Sequence, residues 1–388
     1  MKICLVQQHP VDEERIPAAI LRWVVLHDRL LARGHKVCSV GPNWRWKLET
    51  RTFRGAEQLL VPGPGTGIKA LDMLVFAVLL GPVLLLARRR FRPDAWFTDE
   101  LFVAFGLALL RLVHWREAVV YDVMGIHYHQ VRKHNRSLWR HLPLAWTYGL
   151  LEHITLWACT VVSTVNEAHK EVLQRWTSRP VEVIRDAAAF VPWKGAPADL
   201  PEKGESIWLT FVGKISNRRL DDLYEILPAL MEAEPRLRLV VVGNGPFFQR
   251  YVDWTRRLGL EGRVHFTDFV PHAQLPLWLE PSDITYSDDW SDIGFPMKVF
   301  EYMLLGKAIL VEDTPAVREL MRHEGNCLLY RGLDGLREGI LRLCHDPALR
   351  MRIGGAAKEE ALRDHQWDSR LEQFEALFHE ARRLSGAA

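Results

Sequence analysis

Short apolar runs that end in a turn and give way to a helical stretch recur along the chain, and this repeat constrains the fold more than any other feature. Residues 237–246, LRLVVVGNGP, show it plainly: a run dominated by Val and Leu, then a Gly-Asn-Gly-Pro turn. A run that is apolar at nearly every position, rather than at every second one, is a strand buried on both faces. Such strands belong to parallel sheets covered by helices. Runs of this kind occur at 2–6, 35–41, 57–62, 95–99, 118–123 and 160–164, and again at 207–213, 237–243, 263–267, 283–287, 308–312 and 326–330. Between the two series, AAAFVPWKGAPADLPEKGES at 187–206 is rich in Ala, Pro, Gly and charge and reads as a linker.

Helical patterns fill the gaps. Ile16 to Arg33 has Pro17 in its first turn and Gly34 at its end, while Leu220, Leu223, Leu227 and Leu230 share one face. Helices are also predicted near 347–363 and 368–384, the second with a stripe of Leu371, Phe374 and Phe378. The fold class is therefore α/β, with two Rossmann-like doubly wound domains. The expected boundaries are 1–190 for the first domain, 191–206 for the linker and 207–365 for the second. A C-terminal helix at 366–388 is expected to pack back on the first domain. Ligands of such sheets bind outside the carboxyl ends of the strands, so two facing sheets put a cleft between the domains and the candidates just after strands.

Three places fit that rule. FVGKISNRR (211–219) sets Lys214 directly behind Gly213 at a strand end, with Arg218 and Arg219 a few residues on. Loop cations there suit a diphosphate, and equally suit a solvated basic loop. VVVGNGP (240–246) closes a strand with Gly243 and Gly245, which let backbone approach a ligand, although the full phosphate-loop spacings are absent. SDIGFPMKVFEYMLLGK (291–307) enters a helix through Gly294, Phe295 and Pro296 and carries Lys298 and Glu301 on one side of it. An ammonium near a helix start suits a phosphate, and a carboxylate beside it suits sugar hydroxyls. The competing reading is an exposed ion pair.

Composition narrows the partners. A formal charge of +2 from 50 basic and 48 acidic side chains gives no push toward nucleic acid. Five scattered cysteines without C-x-x-C spacing argue against metal clusters and for a reducing compartment. MKICLV enters a strand and turns polar at QQHP, unlike a signal peptide, so a cytoplasmic protein is expected. MLVFAVLLGPVLLLA (73–87) has no charge, is followed by RRRFR, and falls short of the ~20 residues that span a bilayer, with Gly81-Pro82 expected to interrupt it. It reads either as a buried helix or as a membrane-surface patch. The apolar bias recurs at 101–116 and 142–162.

The order FVGK…R, VVVGNGP, VHFTDFVPHAQLPLWLEPSDI, GFPMKVFEYMLLGKAILVEDTPAVREL and NCLLY resembles the C-terminal half of GT-B glycosyltransferases, and is most similar to the retaining family 4 group. The match covers about 207–345. The first half is similar only in outline, through RPDAWFTDE, VVYDV and VVSTVNEAHKEVL. The resemblance implies two domains facing a central cleft and transfer of a sugar from a nucleotide diphosphate, such as a UDP-sugar or GDP-sugar, to an acceptor hydroxyl. It implies retention of configuration and neither metal nor cofactor.

It also implies roles for residues. Lys214 and Arg219, with Arg218 as near alternate, hold the diphosphate; Gly213, Gly243 and Gly245 lie at the donor. Phe269 and Val270 fall in the segment that holds the base. Glu301 matches the second glutamate of E-x7-E and bonds the ribose, while Lys298, with Gly294 and Phe295 ahead of it, adds a diphosphate contact. The first glutamate of that motif falls at Ile293; Asp292 is adjacent, with Asp288 and Asp289 nearby, so either one of these aspartates substitutes for it or the donor sugar is held differently. The histidine common after the strand VVYDV is absent at Met124, so His127 or His129 takes its place, with Asp122 as a candidate acceptor contact.

The apolar segments of the first half point to a hydrophobic or lipid-linked acceptor and to peripheral contact with the inner face of the cell membrane. Two rival readings remain: a non-catalytic partner or scaffold subunit, favoured by Ile293, and a nucleotide-sugar epimerase.

Overall fold

The computed structural model describes residues 1–9, 18–43, 45–63, 65–67, 69–128, 138–188, 200–215, 220–288 and 295–386. The chain divides into two units, Met1–Arg185 with Asp368–Ala388, and Asp186–Trp367.

The first unit is built on an eight-stranded sheet in the order β3-β4-β2-β1-β5-β6-β7-β8. Its strands are β1 (Lys2–Val6), β2 (Lys36–Asn43), β3 (Glu49–Phe53), β4 (Ala56–Pro62), β5 (Ala95–Thr98), β6 (Val119–Val123), β7 (Val161–Thr164) and β8 (Val181–Val183). All pairs are parallel except β3 with β4. The six apolar runs fall on parallel strands because helices lie against both faces of the sheet. These are α1 (Ala18–Ala32), α2 (Lys69–Phe91), α3 (Leu101–Val113), α4 (Leu138–Ala158) and α5 (Glu167–Gln174). The C-terminal helix, Trp367–Ser385, returns to this unit, where Phe374 and Phe378 set their rings edge-on to Phe97 of β5, with centroids 5.6 and 6.0 Å away.

Two features depart from the sequence reading. The strand β3, ETRTF, is polar and exposed along most of its length and buries only Phe53, as an antiparallel edge strand can, so it leaves no apolar run to detect. The helix α2 runs unbroken through Gly81-Pro82 for 23 residues, where an interruption was expected. Both Gly81 and Pro82 are exposed, as is Val78 at 68%. The carbonyl that Pro82 cannot bond therefore faces water, which removes much of the usual cost of an interior proline.

The second unit holds a six-stranded parallel sheet, β11-β10-β9-β12-β13-β14. Its strands are β9 (Ile207–Val212), β10 (Leu237–Val242), β11 (Val264–Phe266), β12 (Ile284–Ser287), β13 (Ala308–Glu312) and β14 (Leu328–Tyr330). Helices α6 (Asp221–Ala233), α7 (Phe248–Arg257), α8 (Leu275–Leu279), α9 (Lys298–Leu304), α10 (Pro315–Arg318), α11 (Gly332–His345) and α12 (Pro347–Asp364) surround it. On one side, Leu223, Leu227 and Leu230 of α6 join Leu209, Leu239, Ile340 and Leu343 in a common core. On the other, Val299, Phe300 and Met303 of α9 pack with Trp208, Val240 and Ile309. The helices α9 and α12 approach so closely that a Cβ on Gly354 would stand 2.3 Å from the carbonyl oxygen of Gly306.

Candidate active site

In the second sheet β9 lies between β10 and β12, and the chain leaves it toward β10 while β12 opens the other wing. The carboxyl ends of β9 and β12 therefore form the topological switch point, where an open parallel sheet leaves a crevice. The loops there are held backbone to backbone. Gly213 donates its N–H to the Val242 carbonyl at 3.0 Å, Ile215 to that of Asn244 at 3.0 Å, and Phe247 to that of Ile215 at 3.1 Å. This explains the two glycines of the VVVGNGP turn. A Cβ on Gly243, whose φ is +130°, would lie 2.2 Å from the Gly213 oxygen, and one on Gly245 would lie 2.3 Å from the Ile215 oxygen. The sequence reading assigned these glycines to ligand approach; their first requirement is contact between the two loops.

Lys298 reaches into this loop pair from the start of α9. Its Nζ lies 4.0 Å from the centroid of the Phe211 ring and 3.6 Å from Oδ1 of Asp288, at the end of β12. A Cβ on Gly213 would be 3.9 Å from the same nitrogen. The side chain is only 11% exposed, so a cation is held at the switch point between an aromatic face and a carboxylate, screened little by water. Tyr302 ties α9 to β9 by accepting the Val212 N–H at 3.1 Å, and Phe295 packs on Phe300 with centroids 4.9 Å apart. The first backbone bond of the helix runs from Val299 to Pro296 at 2.9 Å. Lys214 follows Gly213 with an exposed side chain.

One turn beyond Lys298, Glu301 takes a different partner. Its Oε1 is 2.5 Å from Nε2 of His272, and both residues are 9% exposed. His272 belongs to the segment after β11, which also carries Phe269 and Val270. Gly243 forms a bridge with Asp268, whose φ is +61°, and Asp268 accepts the Phe269 N–H at 2.6 Å. Phe269 itself is 51% exposed, while Val270 packs against the core that contains Val242. Gly213, Gly243, Gly245, Phe269 and Lys298 are thus joined through neighbouring loops, and Glu301 lies on the helix that supplies Lys298. Arg218, Arg219, Asp292, Ile293 and Gly294 lie outside the described residues.

The candidates of the first unit are placed differently. Asp122, expected at an acceptor, is fully buried on β6. Arg22 binds it through Nε at 2.7 Å, and Ser163 donates its hydroxyl at 2.7 Å. With no exposure and an internal cation, this carboxylate is part of the core, which corrects the expectation. His127 is half-exposed; its backbone N–H donates to Glu152 at 2.7 Å and its ring stacks on Tyr148 at 5.5 Å. His129 lies outside the described residues.

Sequence reasoning also passed over a polar cluster at the carboxyl ends of β1 and β5. Gln7 donates to Asp99 at 3.4 Å, His9 lies 3.2 Å from Glu100, and Gln8 donates to Glu100 as well. Burial, then Glu100 and Asp122, push the Asp99 carboxyl well above its ordinary range.

Residues 196–360 match the family described as glycosyl transferases group 1. The lipopolysaccharide core biosynthesis glycosyltransferase LpsD of Rhizobium meliloti is 28% identical over 207 residues, which are 52% of this chain and 57% of that protein. The chain spans about half the length of the curated relatives it matches. Among solved structures, sucrose-phosphate synthase from Thermosynechococcus elongatus superposes with a TM-score of 0.82 at 18% identity, covering 100% of both chains. Anabaena HepE in complex with UDP-glucose gives a TM-score of 0.71 at 16% identity, covering 97% of this chain and 98% of that one. These likenesses establish the fold as that of GT-B glycosyltransferases.

Proposed function

We propose, for a chain with the GT-B fold whose residues 196–360 match the glycosyl transferases group 1 family, that it moves a sugar from a nucleotide diphosphate to an acceptor hydroxyl. The observation that carries the reading is Lys298: a nearly buried ammonium beside Gly213 at the switch point, with Glu301 one turn further along the same helix. In the reaction the bond between the anomeric carbon and the phosphate oxygen breaks, and its electron pair stays on the departing nucleoside diphosphate. Lys298 and Lys214 stabilise that growing charge electrostatically, in a setting pre-organised by Phe211 and Asp288. Arg218 and Arg219, four and five residues after Lys214 in the sequence, add to it. Glu301, oriented by His272, receives the ribose hydroxyls, and the backbone near Phe269 and Val270 lies along the base.

The new bond forms between the acceptor oxygen and the anomeric carbon, and the acceptor's proton passes to the departing phosphate. Family likeness supports retention of configuration and a reaction carried by the chain's own cations without a metal. The UDP-glucose bound by HepE supports a UDP-sugar donor. For the acceptor we favour a hydrophobic or lipid-linked molecule met at the inner face of the cell membrane, a reading supported by LpsD's part in lipopolysaccharide core synthesis and by the apolar helices of the first unit. Among the described residues no helix is long and apolar enough to cross a membrane.

Melting curves with UDP, GDP, ADP and dTDP test the donor side. One nucleotide raises the melting temperature, and the rise is lost in Lys298→Ala. The non-catalytic reading has a specific observation behind it, Ile293 in place of the family's glutamate. It is upheld if the nucleotide binds and no nucleotide sugar is ever turned over.

A further inference from the structure

The helices α2, α3 and α4 connect strands in the sense that puts them on one face of the first sheet. The contacts of α3 with both neighbours place them side by side. Gly106 of α3 sits so near α2 that a Cβ there would meet Leu80 at 2.9 Å. The outer surface of this layer is apolar, unlike the polar face a surface helix normally shows to water. Eleven of the eighteen large apolar side chains exposed among the described residues belong to these helices or follow α3 directly, including Leu85, Leu112, Trp115 (64%), Trp146 (68%), Leu150 (63%) and Trp157 (61%). Scattered singly they would need no explanation, but collected on one layer they mark an interaction surface.

The charges say what kind. The two carboxylates within these helices, Asp72 and Glu152, are both buried. Several arginines stand around the patch. Arg116 stacks over Trp115 at 4.9 Å, and Arg179 donates to the Trp157 carbonyl at 3.1 Å. At the end of α2, Arg88, Arg89 and Arg92 line a cavity of about 430 Å³ with Pro93 and Glu117. Glu117 is already engaged, by Arg88 at 2.6 Å and by the Trp96 indole at 2.7 Å. The exposed Arg89 and Arg92 therefore leave the cavity's rim positive.

We infer that this face seats on an anionic lipid bilayer, with tryptophan and leucine side chains at the level of the headgroups and the arginine cavity receiving a lipid phosphate. Tryptophan belts and rim arginines are the side chains such a boundary selects. The layer is roughly 20–35 Å long at 1.5 Å per helical residue, broad enough to fix the unit's orientation on a membrane. The inference rests on the membrane-side acceptor reading for its purpose, but its test needs no sugar transfer.

The test is sedimentation of the full chain with vesicles of phosphatidylcholine alone and with vesicles containing phosphatidylglycerol. Melting curves and the nucleotide response are recorded in parallel. The chain is expected to sediment with the anionic vesicles and to be released by salt. Trp146→Ser with Leu150→Ser should bind at least tenfold more weakly. Arg89→Gln with Arg92→Gln should lose roughly fivefold for each charge removed. Both variants should melt and respond to nucleotide like the wild type.

The inference is overturned if the wild type ignores anionic vesicles or if the intact variants bind as well as it does. It is also overturned if light scattering shows the wild type dimeric, the apolar variant monomeric, and neither bound to vesicles, for then the face is covered by a second copy. Vesicle binding without any nucleotide response would leave the docking surface standing and remove the donor reading instead.

Discussion

Replacing Gly245 with alanine puts a methyl group where another loop's backbone already lies. Its Cβ would stand 2.3 Å from the oxygen of Ile215, 2.6 Å from its carbonyl carbon and 2.9 Å from its nitrogen, whereas ordinary contact begins near 3.4 Å. The loops after β9 and β10 must therefore part by about 1 Å, since backbone on both sides cannot rotate away. That displacement stretches the Ile215 and Phe247 hydrogen bonds, now 3.0 and 3.1 Å, each worth about 1 kcal/mol. With about 1–2 kcal/mol for overpacking, the loss is roughly 3–4 kcal/mol. Melting of the second unit should then fall by roughly 6–16 °C, at about 2–4 °C per kcal/mol. Because Gly213 shares this loop pair and adjoins Lys298, nucleotide affinity should fall too. Scanning calorimetry and a titration with UDP read the two effects. A Gly245→Ala protein that melts within about 1 °C of wild type and binds nucleotide equally would refute the loop-packing explanation of this turn.

Neighbouring glycines of α12 should respond in opposite directions. Gly355→Ala, with nothing within 4 Å, should stabilise by about 1 kcal/mol, and Gly354→Ala should destabilise against Gly306, both measured by thermal melting. Removing His272 as alanine leaves the nearly buried Glu301 carboxylate without its imidazole hydrogen-bond partner, a loss of about 1–3 kcal/mol that His272→Gln should partly restore; melting curves of the two variants check it. Asp99 sets a pH dependence. Its folded-state pKa is raised, so its contribution is fully present below the ordinary value of 3.8 and declines as pH rises through the raised value. Asp99→Asn should therefore flatten the fall in melting temperature between acidic and neutral pH and be the more stable protein at neutral pH.

What was legible in the sequence follows from range. The parallel strands were readable because burial on both faces writes itself into consecutive residues, as in β9 and β10. The edge strand β3 and the three-residue β8 carry no such run. Lys298 and Glu301 stood out because helix entry and spacing are local. Their partners did not, since Phe211 is 87 residues from Lys298 and His272 is 29 from Glu301, and only the sheet order brings them together. Asp122 was misread for the same reason. Its cation, Arg22, is 100 residues away, so an interior ion pair looked like an exposed carboxylate after a strand.

The most direct test of the account is release of nucleoside diphosphate from a panel of nucleotide sugars, by the wild type and by Lys298→Ala. If the switch-point ammonium stabilises the leaving group, one donor should be turned over, and Lys298→Ala should slow that release by about 10²–10³ at a temperature where the variant is still folded. Undiminished release by a folded Lys298→Ala protein would contradict the role given to this residue. Release from no donor, by a wild type that binds nucleotide, would contradict the transferase reading itself.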